Sequence, residues 1–254
     1  MKITAYKTEL INVGDSLEEL IKKNIKEIPE RSVVTIVSKA FSFSEKRFIK
    51  KITGTTEEKH ALAKKEAEYY LDAKISKYNL LFTIKGNWVF VNAGIDESNS
   101  GDSYTLWPEN PHESVNKIWK FIRENYGVKN VGVIMTDSKS FPLSWGVVGH
   151  GIAHCGFKAL KDYRGTKDLF GREMQMEQLN LLQSMAVASC MEMGEGDEQR
   201  PLALVSDIQQ DIEWQDNVPS LEELDSLKIS IEDDAYAPML NGVEWKKGGS
   251  NNKI

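Results

Sequence analysis

The chain has 254 residues, 41% hydrophobic and 28% charged, which fits an ordinary globular protein of one large or two small domains and excludes a disordered or fibrous chain. Its formal net charge of -6 is unevenly placed: residues 207–234 hold ten acids against one base, Lys228, while residues 1–205 hold 27 acids and 28 bases. That near-neutral body argues against nucleic acid as the main partner, because phosphate binding needs a clear basic excess. No apolar run reaches the length of a membrane helix, and the opening MKITAYKTELINV lacks a signal-peptide apolar region, so a cytoplasmic location is expected.

In chain order, SLEELIKKNIKEI carries Leu17, Leu20, Ile21, Ile25 and Ile28 at helical spacing behind Asp15 and Ser16, which are placed to cap it. RSVVTIVSKAF reads as a strand. A helix is expected over about 56–74, then the strands LLFTI and WVFVNAG. A second helix over about 112–125 feeds the apolar strand VGVIMTD, and the glycine-dotted GVVGHGIAHCGFKALKDYRG reads as strand plus turn. MEQLNLLQSMAVASCMEM is a long helix whose Met and Leu residues belong to a core, MGEGDEQRP is a turn, and PLALV is the last strand of the body. We therefore expect a body over 1–205 and an acidic tail over 206–254. The tail holds one short amphipathic helix, announced by the capping-box pair Ser220 and Glu223, and ends in the flexible-looking KKGGSNNKI.

Cys155 and Cys190 lack Cys-x-x-Cys spacing and read as small buried apolar residues of a reducing compartment. His150 and His154 invite a metal reading. Three glycines in GHGIAHCG argue against a helix, and four residues along a strand is about 13 Å, too far for one ion. Neither a P-loop nor a Gly-x-Gly-x-x-Gly fingerprint is present.

The strongest chemical signal is a pair of carboxylates at two strand ends, Asp96 in NAGIDESN and Asp137 in VGVIMTDS. With Ser98, Asn99, Thr136 and Ser138 beside them they suit a hard divalent cation; each is equally readable as a turn or capping aspartate. Glu195, in the glycine turn MGEGDE, is a further acid, and that turn's backbone N–H groups could face a phosphate.

NAGIDESN, VGVIMTDS, GVVGHGIAHCGFKALKDYRGTKDLFGRE and MGEGDEQRP, in this order and at these separations, resemble the γ-glutamyl ligases that act on the deazaflavin coenzyme F420. The resemblance covers about 32–205 and is absent from the tail. It implies an α+β fold of mixed sheets with flanking helices, a homodimer, and a reaction that joins L-glutamate to an acceptor carboxylate at the expense of GTP, with two Mg or Mn ions and potassium. Some relatives are thought to elongate folate instead, so the acceptor is of F420-0 or folate type. Carried over by position, the resemblance makes Asp96 and Asp137 catalytic metal ligands, joined by Ser138 and Glu195. It makes Ser38, Lys39, Asn99 and the stretch 193–200, including Met193, Gly194, Gly196 and Asp197, nucleotide contacts.

This chain also departs from the family's pattern. Where the family carries an arginine-bearing loop after its Thr-Asp, the sequence reads SKSFPLSWG, with Phe141, Ser144 and Trp145 in place of basic residues and only Lys139 basic. A lysine expected after Ser42 is Phe43, and Thr8-Glu9-Leu10 replaces a glycine-rich opening loop. The aromatics point to a flatter, less anionic acceptor such as a folate. Beside an active ligase stand two alternatives: a degenerate nucleotide- or metal-binding relative with a regulatory or scaffold role, and a metal-dependent hydrolase using His150 or His154.

Overall fold

The structure is a computed structural model, and it describes residues 1–250. In chain order the elements are β1 (Lys2–Tyr6), α1 (Leu17–Asn24), β2 (Ser32–Val37), α2 (Ser38–Ser44), β3 (Phe48–Lys50), α3 (Thr56–Glu66), β4 (Tyr69–Tyr70), β5 (Phe82–Lys85), β6 (Trp88–Val91) and β7 (Ser103–Thr105). There follow α4 (Pro111–Tyr126), β8 (Val131–Ser140), β9 (Val147–Cys155), β10 (Leu160–Asp162), β11 (Gln178–Asn180), α5 (Leu181–Met193), β12 (Leu202–Ser206), α6 (Leu221–Ser226), α7 (Ala237–Leu240) and β13 (Lys246–Lys247). The chain is thus mixed α and β with several sheets. Among the described residues no helix is long and apolar enough to cross a membrane.

The chain forms two compact units. The larger comprises Met1–Lys46 and Pro108–Pro219, the smaller Arg47–Trp107 and the chain from Ser220 on. Residues 206–219 therefore pack with the larger unit, and the rest of the acidic tail with the smaller.

The larger unit is built on a mixed sheet in the order β1-β12-β2-β8-β9, in which only β2 and β8 run parallel. Five of the six residues of β2 are buried, as a strand covered on both faces requires. One core joins Val34, Ile36, Val133 and Met135 to Ile21 of α1, Phe41 of α2 and Ile118, Trp119 and Ile122 of α4. A second joins Cys190 and Met193 of α5 to Ala203 of β12. Ser16 caps α1 by accepting the Glu19 N–H at 3.2 Å, and Asn110 caps α4 by accepting that of Glu113 at 3.2 Å. Both cysteines are buried thiols outside any disulfide.

Four local expectations are corrected. The strand beginning at Ser32 stops at Val37, whose N–H bonds the Pro201 carbonyl, and SKAFSFS winds into α2. The helix expected to run to about residue 74 ends at Glu66, because 68–70 pair with β5 instead, a case of sheet pairing overriding local propensity. The long helix near its end begins only at Leu181: Gln178–Asn180 pair with β10, and the Asn180 side chain accepts the Gln183 N–H at 3.0 Å. The supposedly flexible end is tied down over 246–250: β13 pairs with β4, and the N–H groups of Gly248, Gly249 and Ser250 bond carbonyls of Glu68, Lys64 and Ala67. The last four residues lie outside the described ones.

The smaller unit carries a four-stranded sheet, β13-β4-β5-β6, and the separate pair β3-β7. Its core gathers Ala63 and Ala67 with Leu81, Ile95, Tyr104 and Leu106.

Candidate functional site

In the larger unit the parallel strands β2 and β8 pair Val37 with Thr136, so Ser38 and Lys39 leave one strand where Asp137 and Ser138 continue its neighbour. The carboxyl ends of parallel strands are where open sheets hold ligands. The end of α5 reaches the same place. Ser138 donates its hydroxyl to both carboxylate oxygens of Glu195, at 2.7 and 2.6 Å, and its N–H to Asp137 Oδ1 at 2.8 Å. Behind them lies Cys190, whose thiol burial pushes up to about 11 against a hydrogen bond with Thr136; the charges of Glu195 and Asp137 act in the same direction as burial. Both carboxylates thus sit within Coulombic reach of one sulfur.

The turn after α5 closes on itself. The Gly194 N–H bonds the Cys190 carbonyl at 2.9 Å, and the Gly196 N–H bonds Glu198 Oε2 at 2.8 Å. An amide that the sequence offered to a phosphate is therefore engaged by the chain's own carboxylate, which its hydrogen bonds hold below the usual carboxylate range. Asp197 is exposed beside it and Met193 is buried in the α5 core.

The hairpin of β8 and β9 contains a bulge. Met135 pairs with Ala153 but Thr136 pairs with Gly151, so Ile152 is the extra residue. His154 then lies opposite Ile134, and His150 opposite Asp137. Because Ile134 and Asp137 are three apart on a regular strand, the two imidazoles point to opposite faces of the sheet. Four apart on an unbroken strand they would share a face; the bulge reverses that, and a shared ion on this pair is excluded by direction as well as distance. His154 packs on Phe157 with ring centroids 5.2 Å apart. Burial, with Lys139 nearby, drives the His150 imidazole down to about 3, and Lys139 is itself lowered by burial.

In the smaller unit, NAGIDESN forms a left-handed turn. Asn92, Ala93 and Gly94 have φ of 52°, 54° and 72°, a conformation Asn and Gly accept readily and Ala only when held. Ala93 is held: its N–H bonds Thr83 Oγ1 at 2.9 Å, while Asn92 Oδ1 accepts the Leu81 N–H at 3.2 Å. The chain then bridges to β7, with Asp96 and Thr105 exchanging backbone bonds of 3.0 and 2.9 Å. Asp96 Oδ1 accepts the N–H groups of Glu97 and Ser98 at 2.6 and 2.8 Å, and Oδ2 accepts the Ser98 hydroxyl at 2.8 Å. This is the Asx turn the residue types allowed. Asn99 is exposed in a left-handed conformation. Glu97 pairs with Lys51 and Lys59, each at 2.8 Å, and these two lysines hold its carboxyl below the usual range.

The larger unit thus brings together Ser38, Lys39, Asp137, Ser138 and the turn containing Gly194, Glu195 and Gly196, whereas Asp96 and Asn99 belong to the smaller. Among the described residues, no group of three or more His, Cys, Asp and Glu gathers as a metal cage. The donors at Asp137, Ser138 and Glu195 are all oxygens, and the contact of a neutral hydroxyl with a carboxylate leaves the local charge negative. Both features fit a hard divalent ion. The sequence reading missed Gln183, whose amide holds Gly151, and the placing of His150; the only signal was a helix-start asparagine at 180.

A mixed sheet thus sets an oxygen-rich, acidic turn beside two parallel strand ends, and comparison with known proteins gives the class to which the chain belongs. The chain is 33% identical over 218 residues (80% of this chain, 85% of the relative) to "Coenzyme F420:L-glutamate ligase" of Methanopyrus kandleri. To the proteins of the same name from Archaeoglobus fulgidus and Methanococcus maripaludis it is 35% identical over 223 residues (81% and 88% covered) and 32% over 219 (81% and 87%). The model of the "F420-0:Gamma-glutamyl ligase" family matches residues 5–207. The chain belongs to that family, a family of ligase enzymes, as the sequence motifs implied.

Proposed function

We propose that the protein is a GTP-dependent γ-glutamyl ligase that joins the α-amine of L-glutamate to the carboxylate of a flat acceptor of F420-0 or folate type. The observation that carries this reading is the contact of Ser138 with Glu195, two segments 57 residues apart, beside Asp137 and within the stretch that the family model matches. A free carboxylate is a poor acyl donor. An acceptor carboxylate oxygen bonds the γ-phosphorus of GTP as the bond to the β–γ bridging oxygen breaks and GDP leaves, and the glutamate nitrogen attacks the resulting acyl carbon. A C–N bond forms, the C–O bond to phosphate breaks, and the amine proton leaves to solvent. Asp137, Ser138 and Glu195 would hold Mg or Mn, and Asp96 is assigned the same chemistry. When bound, the divalent ions neutralise the charge of the transferring phosphoryl group. Ser38, Lys39, Asn99 and the turn of Met193, Gly194, Gly196 and Asp197 are assigned to the nucleotide, and a potassium ion completes the proposed requirements.

A folate-like acceptor is favoured by Phe141 and Trp145, which stand exposed where the family carries basic residues. A homodimer is favoured by exposed apolar side chains, Leu143 and Trp145 between β8 and β9 and Leu169 and Phe170 between β10 and β11, since monomers rarely leave such patches uncovered. One observation favours the degenerate alternative: Glu198 engages the Gly196 amide. Mass spectrometry of the products formed from Mn, potassium, glutamate, GTP or ATP, and a mixture of both acceptors decides. A glutamate-extended product establishes the ligase and names its acceptor. Absence of nucleotide consumption supports the degenerate binder, and greater activity on the deazaflavin than on any folate removes the folate assignment.

A further inference from the structure

We propose that His150 is a positioning residue for the Asp137 carboxylate, set in place by the Ile152 bulge, which Gln183 pins. The inference rests on the ligase reading of Asp137 given above.

The bulge decides what lies opposite each residue at the end of β8. Continued without it, the Met135–Ala153 pairing would put Gly151 opposite Asp137 and His150 opposite Ser138. The observed register instead puts His150 opposite Asp137 and Gly149 opposite Ser138. Only glycine fits the second place: a Cβ on Gly149 would lie 2.5 Å from the Ala186 carbonyl oxygen and from Cys190 Sγ, and one on Gly151 would lie 2.5 Å from Leu182 Cδ1. The glycine face lets α5 close on the hairpin, and α5 delivers Glu195 to Ser138. On the other face His150 is 3% exposed. Directly opposed residues on antiparallel strands have Cβ atoms about 5 Å apart, so an imidazole N–H there is within reach of the Asp137 carboxylate.

A bulge leaves backbone groups without ladder partners, and here a side chain supplies them. Gln183, one turn into α5, accepts the Gly151 N–H at 2.9 Å and donates its amide to the Gly151 carbonyl at 2.9 Å. These two bonds lock the bulge, and through it the register at Asp137 and Ser138. Carboxylates that ligate metals are commonly oriented by such a second hydrogen-bonding layer, and its loss costs about tenfold to a hundredfold in metal affinity.

The test uses the full chain and Mn alone, with free Mn(II) counted by electron paramagnetic resonance and folding followed by thermal melting. His150→Leu should bind Mn about tenfold or more weakly while the KM for nucleotide is unchanged, and His150→Gln, which keeps an N–H of similar reach, should recover most of the loss. Gln183→Ala keeps the imidazole but frees the bulge that places it, and should reproduce the loss, which keeps the proposal testable if the leucine variant does not fold. Wild-type Mn affinity in folded His150→Leu or Gln183→Ala overturns the positioning role. A wild-type protein that binds no Mn and consumes no nucleotide instead overturns the ligase reading beneath it.

Discussion

The Ser138 hydroxyl lies 2.7 and 2.6 Å from the two carboxylate oxygens of Glu195, so one β-strand and the turn after α5 meet through a neutral donor rather than an ion pair. Because no cation cancels the carboxylate in this contact, the pair can turn its oxygens toward a divalent ion. Ser138→Ala and Glu195→Gln should each weaken Mn binding about tenfold or more, and Ser138→Thr should retain it. Titration of free Mn(II) against each variant checks this, and an alanine variant with unaltered affinity would remove Ser138 from the metal shell.

Asp137 and His154 separate the ligase from a hydrolase. The two side chains point to opposite faces of the hairpin, and His154 is fully buried against Phe157. Asp137→Asn, and Asp96→Asn in the smaller unit, should abolish metal-dependent nucleotide consumption. His154→Ala should instead cost stability, about 2 kcal/mol or more from the cavity it leaves, with metal-dependent nucleotide binding retained. The opposite pattern, read from GTP consumption and urea unfolding, would support metal-dependent hydrolysis at the histidines.

The local setting of each candidate residue was legible because residue chemistry is local. Asp137 at the end of an apolar strand, Glu195 in a glycine turn and Asp96 in an Asx-forming loop can be read from a few neighbours each. The partnership of Ser138 with Glu195 could be anticipated only through the family resemblance, since 57 residues of chain carry no local signal of contact. The bulge was illegible for a different reason. Nothing in VVGHGIAHC marks Ile152 as the extra residue; the close approach of α5 and the Gln183 clamp fix it, and with it the faces of both histidines. Two capped helices followed their Ser16 and Ser220 signals. The early end of α3 and the pairing of β13 depend on sheet partners remote in sequence.

Gly94 is required twice over. Its φ is 72°, and the space a Cβ would take is occupied by the Trp107 indole. Gly94→Ala should therefore destabilise the smaller unit by about 2 kcal/mol or more, through backbone strain and displacement of Trp107 together. The measurement is chemical denaturation followed by tryptophan fluorescence. A change under about 0.5 kcal/mol, the range of neutral surface substitutions, would show that the turn relaxes without cost.

Glu58 gives the smaller unit an acid-sensitive clasp. Its carboxylate accepts the N–H groups of Ile52, Thr53 and Gly54, each at 2.8 Å, and the Thr53 hydroxyl at 2.7 Å. These donors, the Ile52 N–H foremost, pull the carboxyl from 4.5 down to about 2. A carboxyl whose pKa is lower in the folded chain stabilises the fold fully above its unfolded value, and that contribution is lost as pH falls through the folded value. The stability gap between wild type and Glu58→Gln should therefore be constant above about pH 4.5, shrink on acidification, and vanish near pH 2. Urea unfolding of both proteins at several pH values checks the sign. A gap that widens as the pH is lowered would mean that the three amides hold the protonated acid better than the carboxylate, contrary to their role as donors.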